Sequence, residues 1–101
     1  MYKIAINGFG RIGRNIVRAL YERPELQEKI QIIAINDLGS AQINAHLLQF
    51  DTVHGRFNQP VDVDADSLTI NGDRIQWFCE PDPANIPWGT LGVDLVCECT
   101  G

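Results

Sequence analysis

The stretch Gly8-Phe9-Gly10-Arg11-Ile12-Gly13 constrains this chain more than any other. Three glycines at this spacing either cradle a phosphate or only shape a tight loop, and the flanking residues decide between the two. Before them, Tyr2 to Asn7 (YKIAIN) is a short apolar run that pattern alone allows as strand or helix. Its length and its glycine boundary favour a strand. After them, Ile12, Ile16, Val17 and Leu20 recur at helical spacing, with Arg11, Arg14 and Arg18 marking the opposite face. Pro24 has no amide hydrogen and ends that helix near 21–23. Ile30 to Asn36 (IQIIAIN) is rich in β-branched residues and reads as a strand buried on both faces. Strand, glycine turn, helix and strand make a βαβ unit with a right-handed crossover.

In that context each glycine gains a physical task. Gly8 permits the tight turn, Gly10 lets the backbone approach a pyrophosphate, and Gly13 lets the helix lie close to the strand. The amides of Arg11 and Ile12 stand unpaired at the helix start, where the helix dipole adds positive potential. Asp37 follows the second strand at close to the offset of about 20 residues that dinucleotide sites use for a ribose-binding acid. Its charge repels a 2′-phosphate and no arginine follows it, so NAD is expected rather than NADP. The competing reading keeps the glycines as loop formers and Asp37 as a solvated strand end. Strand, helix and acid together favour the dinucleotide.

Downstream, Ser40 is a suitable N-cap for a short helix with Ile43, Leu47 and Leu48 on its apolar stripe and His46 beside it. Gln49 to Phe57 breaks the periodicity and reads as an ordered connection. Ser67 to Ile70 and Arg74 to Phe78 flank Asn71-Gly72-Asp73, a strong hairpin signal. Pro81, Pro83 and Pro87 keep Glu80 to Trp88 irregular, and Val93 to Cys99 reads as a last strand. The expected fold class is α/β, a Rossmann-type dinucleotide-binding fold with an incomplete parallel sheet and a β-hairpin insertion.

Composition narrows the partners. One hundred and one residues suit one domain, and a net charge of −5 lacks the basic surplus that a phosphate backbone requires, so nucleic acid is not an expected partner. No apolar run approaches the roughly 20 residues of a membrane span, and no secretory signal opens the chain, so a cytoplasmic location is expected. Cys79, Cys97 and Cys99 form no CxxC pair, and no histidine is spaced as a metal ligand. Cys97 and Cys99 share a strand face and read as buried thiols. A nucleophile needs a base, and only His46 and His54 are available.

The blocks Ala5 to Arg14, Ala34 to Leu38, Phe50 to Phe57, Ile70 to Gly72, Asp82 to Asn85 and Glu98 to Gly101 together resemble phosphorylating glyceraldehyde-3-phosphate dehydrogenases, in order along the whole chain. The resemblance implies that Asn7, Arg11 and Ile12 lie along the cofactor and that Asp37 meets the adenosine ribose. It also implies Leu38 by the adenine and Thr100 toward the nicotinamide. Erythrose-4-phosphate dehydrogenases are similar but often carry Glu where Asp37 stands, which tilts the choice toward the glyceraldehyde-3-phosphate enzymes. The family commonly has an arginine before its Asp-Pro pair. Here that position is Pro81, so a differently shaped adenine pocket is expected.

The family's cysteine nucleophile, in a Ser-Cys-Thr-Thr-Asn stretch, and its histidine base are both missing from this sequence. No catalytic residue is therefore assigned, and His54 is read as structural. The expectation is an N-terminal portion, residues 1–101, of an NAD-binding domain whose catalytic domain lies outside this chain. Alone it should be inactive. The full-length protein implied by the resemblance is a homotetramer that oxidises an aldehyde phosphate with NAD and inorganic phosphate, through a thiohemiacetal and a thioester. The alternative is a stand-alone NAD-binding module without catalysis.

Overall fold

The computed structural model describes residues 1–51, 55–57, 59–64 and 66–100. The Thr52-Val53-His54 part of the expected connection lies outside the described residues. The first unit is β1 (Tyr2–Asn7), α1 (Arg11–Tyr21), α2 (Pro24–Gln27) and β2 (Ile30–Asn36). There follow α3 (Ala41–Gln49), the short strands β3 (Phe50–Asp51) and β4 (Gly55–Arg56), then β5 (Val61–Val63), β6 (Ser67–Ile70) and β7 (Asp73–Phe78). A 3-10 turn at Pro83–Asn85, the single-turn helix α4 (Trp88–Leu91) and β8 (Leu95–Glu98) complete the order.

Six strands form one sheet in the order β5-β6-β7-β2-β1-β8. The strands β7, β2, β1 and β8 run parallel to one another, while β6 pairs antiparallel with β7 and β5 antiparallel with β6. This is the mostly parallel α/β sheet of a Rossmann-type domain. The hairpin turns at Asn71 and Gly72, whose φ angles of 50° and 87° suit a two-residue turn. Its second strand is itself a parallel member of the sheet, with Ile35 opposite Trp77. The core gathers the strand residues Ile4, Ile6, Ile32, Ile35, Leu68, Ile70 and Ile75 against Val17, Leu20 and Leu48 from the helices. Phe9, from inside the glycine motif, plugs into it and meets Trp77 edge-on at 5.6 Å.

Two helix faces differ from the sequence expectation. In α1 the buried residues are Gly13, Val17, Arg18, Leu20 and Tyr21. Ile12 is 64% exposed and Arg18 only 4%. Gly13 sets that rotation, because a β-carbon there would lie 2.7 Å from the Gly8 carbonyl oxygen and 3.2 Å from Ile6. With residue 13 turned to the strand, residue 12 points about 100° away. Arg18 instead runs inward, donates to the Leu48 carbonyl and lies over the Phe57 ring at 5.4 Å.

In α3 the inward stripe is Ala41, Asn44, Ala45 and Leu48, while Ile43 and Leu47 of the expected stripe are exposed. Small side chains allow a closer approach than Ile43 and Leu47 would permit. Ser40 caps this helix as expected, its hydroxyl accepting from the Ile43 amide at 3.2 Å. Pro24 does more than stop α1, since its fixed φ also opens the short α2. Strand β5 carries no signal beyond two valines.

Candidate functional site

Parallel strands bring their carboxyl ends to one edge of the sheet. Here Asn7 of β1, Asn36 of β2 with Asp37 just after it, Glu80 after β7 and Cys99-Thr100 after β8 surround a cleft of about 320 Å³. Its position is where chain order reverses, β1 having β2 on one side and β8 on the other.

The glycines divide the work as their chemistry allows. Gly8 has φ +95°, and a β-carbon there would stand 2.7 Å from the Thr100 amide nitrogen. It is thus required twice, by conformation and by the closeness of the strand after β8. A β-carbon on Gly10 would meet no atom of the described residues within 4 Å, and this residue lines the cleft. Gly13 serves packing alone. Gly10 is also the N-cap of α1, without any side-chain capping bond and with no acidic residue in the first turn. The first amides of α1 therefore remain available to an anion, at the positive end of an 11-residue helix. Arg11 and Ile12 belong to that first turn and are exposed, outside the cleft wall.

Asp37 does more than the sequence implies. Its Oδ1 accepts from the Phe9 amide at 2.8 Å, tying the glycine turn to β2. Its Oδ2 accepts from the Gly39 amide at 3.0 Å and from Asn44 Nδ2 at 3.3 Å. A carboxylate offers about four acceptor sites, which leaves room for a further donor from the cleft. Leu38, beside it, is exposed and lines the cleft. Pro81 and Pro83 form the facing wall, where a rigid apolar surface stands in place of a guanidinium.

Beneath the cleft runs a polar chain. Asn36 Nδ2 donates to Asn7 Oδ1 at 2.8 Å and to the Glu80 carbonyl at 3.0 Å, and Glu80 N returns a bond to Asn36 Oδ1 at 2.8 Å. Asn7 Nδ2 then donates to the Glu98 carboxylate at 2.8 Å, and the Thr100 hydroxyl does so at 2.6 Å. Hydrogen bonds from Thr100 and Asn7 hold the Glu98 carboxyl below its usual range. The side chain of Asn7 thus bonds the protein's own strand ends, and the residue lines the cleft. Sequence reasoning missed Asn36, Glu80 and Glu98. Their signal was a polar residue closing each otherwise apolar run.

The thiols are structural in character. Cys99 lines the cleft half-buried, and burial first, then the neighbouring Cys97 and Glu98, pushes its thiol up, toward the unreactive protonated form. Cys97 is half-buried rather than fully buried, and Cys79 is exposed. His46 packs tilted against Phe50, with ring centroids 4.9 Å apart, and is not part of the cleft wall. His54 lies outside the described residues. Among the described residues no cluster of three His, Cys, Asp or Glu side chains is placed to hold a metal, and no helix is long and apolar enough to cross a membrane.

Open space over Gly10, an uncapped helix start and an acid across the turn fit a diphosphate-linked nucleoside. Comparison with known proteins agrees. The family described as glyceraldehyde 3-phosphate dehydrogenase, NAD binding domain, matches residues 2–101. The chain is 60% identical over 99 residues to the chromosomal glyceraldehyde-3-phosphate dehydrogenase of Cupriavidus necator, covering 98% of this chain. It is 57% identical over 99 residues, again 98% of this chain, to that of Pseudomonas aeruginosa. It is 48% identical over 101 residues, the whole chain, to that of Clostridium acetobutylicum. The chain spans 29% of the length of each of these relatives.

Proposed function

This chain belongs to the NAD-binding domain family of glyceraldehyde 3-phosphate dehydrogenase, with NAD as its cofactor, and from that premise we propose how the cleft receives the nucleotide. The pyrophosphate lies over Gly10 against the first amides of α1, and Gly8 and Gly13 shape that seat. Arg11 and Ile12 contribute through their backbone. Asp37 accepts from the adenosine ribose, Leu38 flanks the adenine opposite Pro81, and Thr100 marks the nicotinamide end above Asn7. The observation that carries this reading is the side-chain-free opening at Gly10 beside an uncapped helix start.

The share of the relatives' length supports a further proposal. The chain is the nucleotide-binding part of a longer dehydrogenase whose substrate is glyceraldehyde 3-phosphate, a reading that the relatives' names support. Bound NAD supplies the hydride acceptor for that oxidation. The residues described here bind and orient it: the turn amides neutralise the diphosphate, and Asp37 fixes the ribose.

Gly10→Val tests the seat. Titration calorimetry should show NAD affinity falling by more than about tenfold, or 1.4 kcal/mol. Circular dichroism should show the fold retained, since a side chain at residue 10 meets open space. Unchanged affinity would remove the cradle from the account.

A further inference from the structure

We propose that Asn44 is a positioning residue that makes the site selective for a ribose with free hydroxyls, acting through the carboxylate of Asp37. This rests on the assignment of the adenosine ribose to Asp37 made above. The starting observation is a polar residue in an apolar stripe. Asn44 shares the buried face of α3 with Ala41, Ala45 and Leu48, and is itself only 5% exposed. An amide in that position is costly unless its polar atoms find partners.

Its Nδ2 carries two hydrogens and has two acceptors, the Ser40 carbonyl at 2.9 Å and Asp37 Oδ2 at 3.3 Å. The first bond anchors the amide to its own helix. The second leaves it aimed at the acid. Gly39 belongs to the same arrangement: a β-carbon there would stand 2.8 Å from Asn44 Nδ2 and 3.2 Å from Asp37 Oδ2. The absence of a side chain at residue 39 is what lets amide and carboxylate meet.

The consequence for Asp37 follows from counting acceptor sites. Oδ2 receives both Gly39 N and Asn44 Nδ2, which fills its two lone pairs. Oδ1 receives Phe9 N alone and keeps one. Three donors from three directions prevent the carboxylate from rotating. The single open acceptor site is therefore Oδ1, held at one orientation at the cleft edge. Without Asn44 only the Phe9 and Gly39 amides hold the carboxylate, Oδ2 regains an open lone pair, and the hydroxyl no longer meets a single, fully fixed acceptor.

The test compares binding of NAD with binding of an analogue whose adenosine ribose lacks both hydroxyls, measured by calorimetry on the full chain. Asn44→Ala should weaken NAD by about tenfold and leave the analogue almost unchanged, so that discrimination between them collapses. Gly39→Ala, which drives a methyl group into the same contact, should act in the same direction. In an Asp37→Ala background, Asn44→Ala should change NAD affinity no further. A merely structural role would weaken both ligands alike and would persist without Asp37. Either result overturns the proposal. If Asp37→Ala weakens NAD while Asn44→Ala does not, only the role of Asn44 fails. If Asp37→Ala leaves NAD binding intact, the ribose assignment falls and this proposal with it.

Discussion

Arg18 shows what a single side chain can do against its own pattern. Its guanidinium donates to the Leu48 carbonyl near the end of α3 and covers Phe57, so one residue joins α1, α3 and the segment after β4. A buried hydrogen bond from a charged donor contributes about 1.5–3 kcal/mol, and its loss leaves a helix-end carbonyl short of a donor. Arg18→Met keeps much of the stem but no donor. It should lower stability by about 2 kcal/mol in urea denaturation. Helical periodicity alone put Arg18 with Arg11 and Arg14 on a solvated face, because sequence carries no trace of a carbonyl waiting on another helix. Asp37 was legible as an acid just past the end of β2, and it lines the cleft. Its second duty, holding the Phe9 amide, was not, since that bond exists only once β1 and β2 are paired.

At the level of elements, strands and turns were read more faithfully than helix faces. The run Ile30 to Asn36 became β2 with those bounds, and Asn71-Gly72 became the hairpin turn, because both signals are local. The inward face of α3 was not local. It depends on Ala41 and Ala45 allowing close approach and on Asn44 finding Asp37, whereas helical spacing alone points to the larger Ile43 and Leu47.

Two glycine substitutions separate local conformation from tertiary contact. Gly72→Ala faces open space at φ 87°, so it should cost only the left-handed penalty of about 1–2 kcal/mol and leave NAD affinity unchanged. Gly8→Ala meets the same penalty plus backbone atoms of Cys99 and Thr100 inside 3.0 Å. It should cost more in thermal melts and should also weaken NAD. Equal effects of the two would mean that the contact with the end of β8 carries no weight.

For the molecule as a whole, the ionisation of Tyr21 links fold stability to pH. The phenol is buried, and its hydroxyl donates to Asp73 Oδ2 at 3.0 Å, pinning the end of α1 to the start of β7. Burial first, and then the charge and hydrogen bond of Asp73, push its pKa well above the ordinary value of 10.0. The folded state therefore keeps a proton that the unfolded chain loses near pH 10. This contribution is complete below about pH 10 and declines as pH rises toward the folded-state value, by up to about 1.4 kcal/mol per pH unit. Urea midpoints measured from pH 9 upward should fall more steeply for the native chain than for Tyr21→Phe. Parallel curves would exclude the coupling. None of this was visible in the sequence, where Tyr21 and Asp73 lie far apart in the chain and neither stands in a motif.

The contact between Gly8 and the backbone of Thr100 has a bearing on the nucleotide that spans the cleft. The glycine loop and the segment after β8 abut there, the Thr100 amide nitrogen, its Cγ2 and the Cys99 carbonyl carbon all lying inside 3.0 Å of where a Gly8 β-carbon would stand. The distance between these two walls of the cleft is thereby set chiefly by the polypeptide scaffold itself. Substitutions along the rim, Pro81 among them, are free to reshape the edge of the cleft while the span between its loop and its far wall keeps its length.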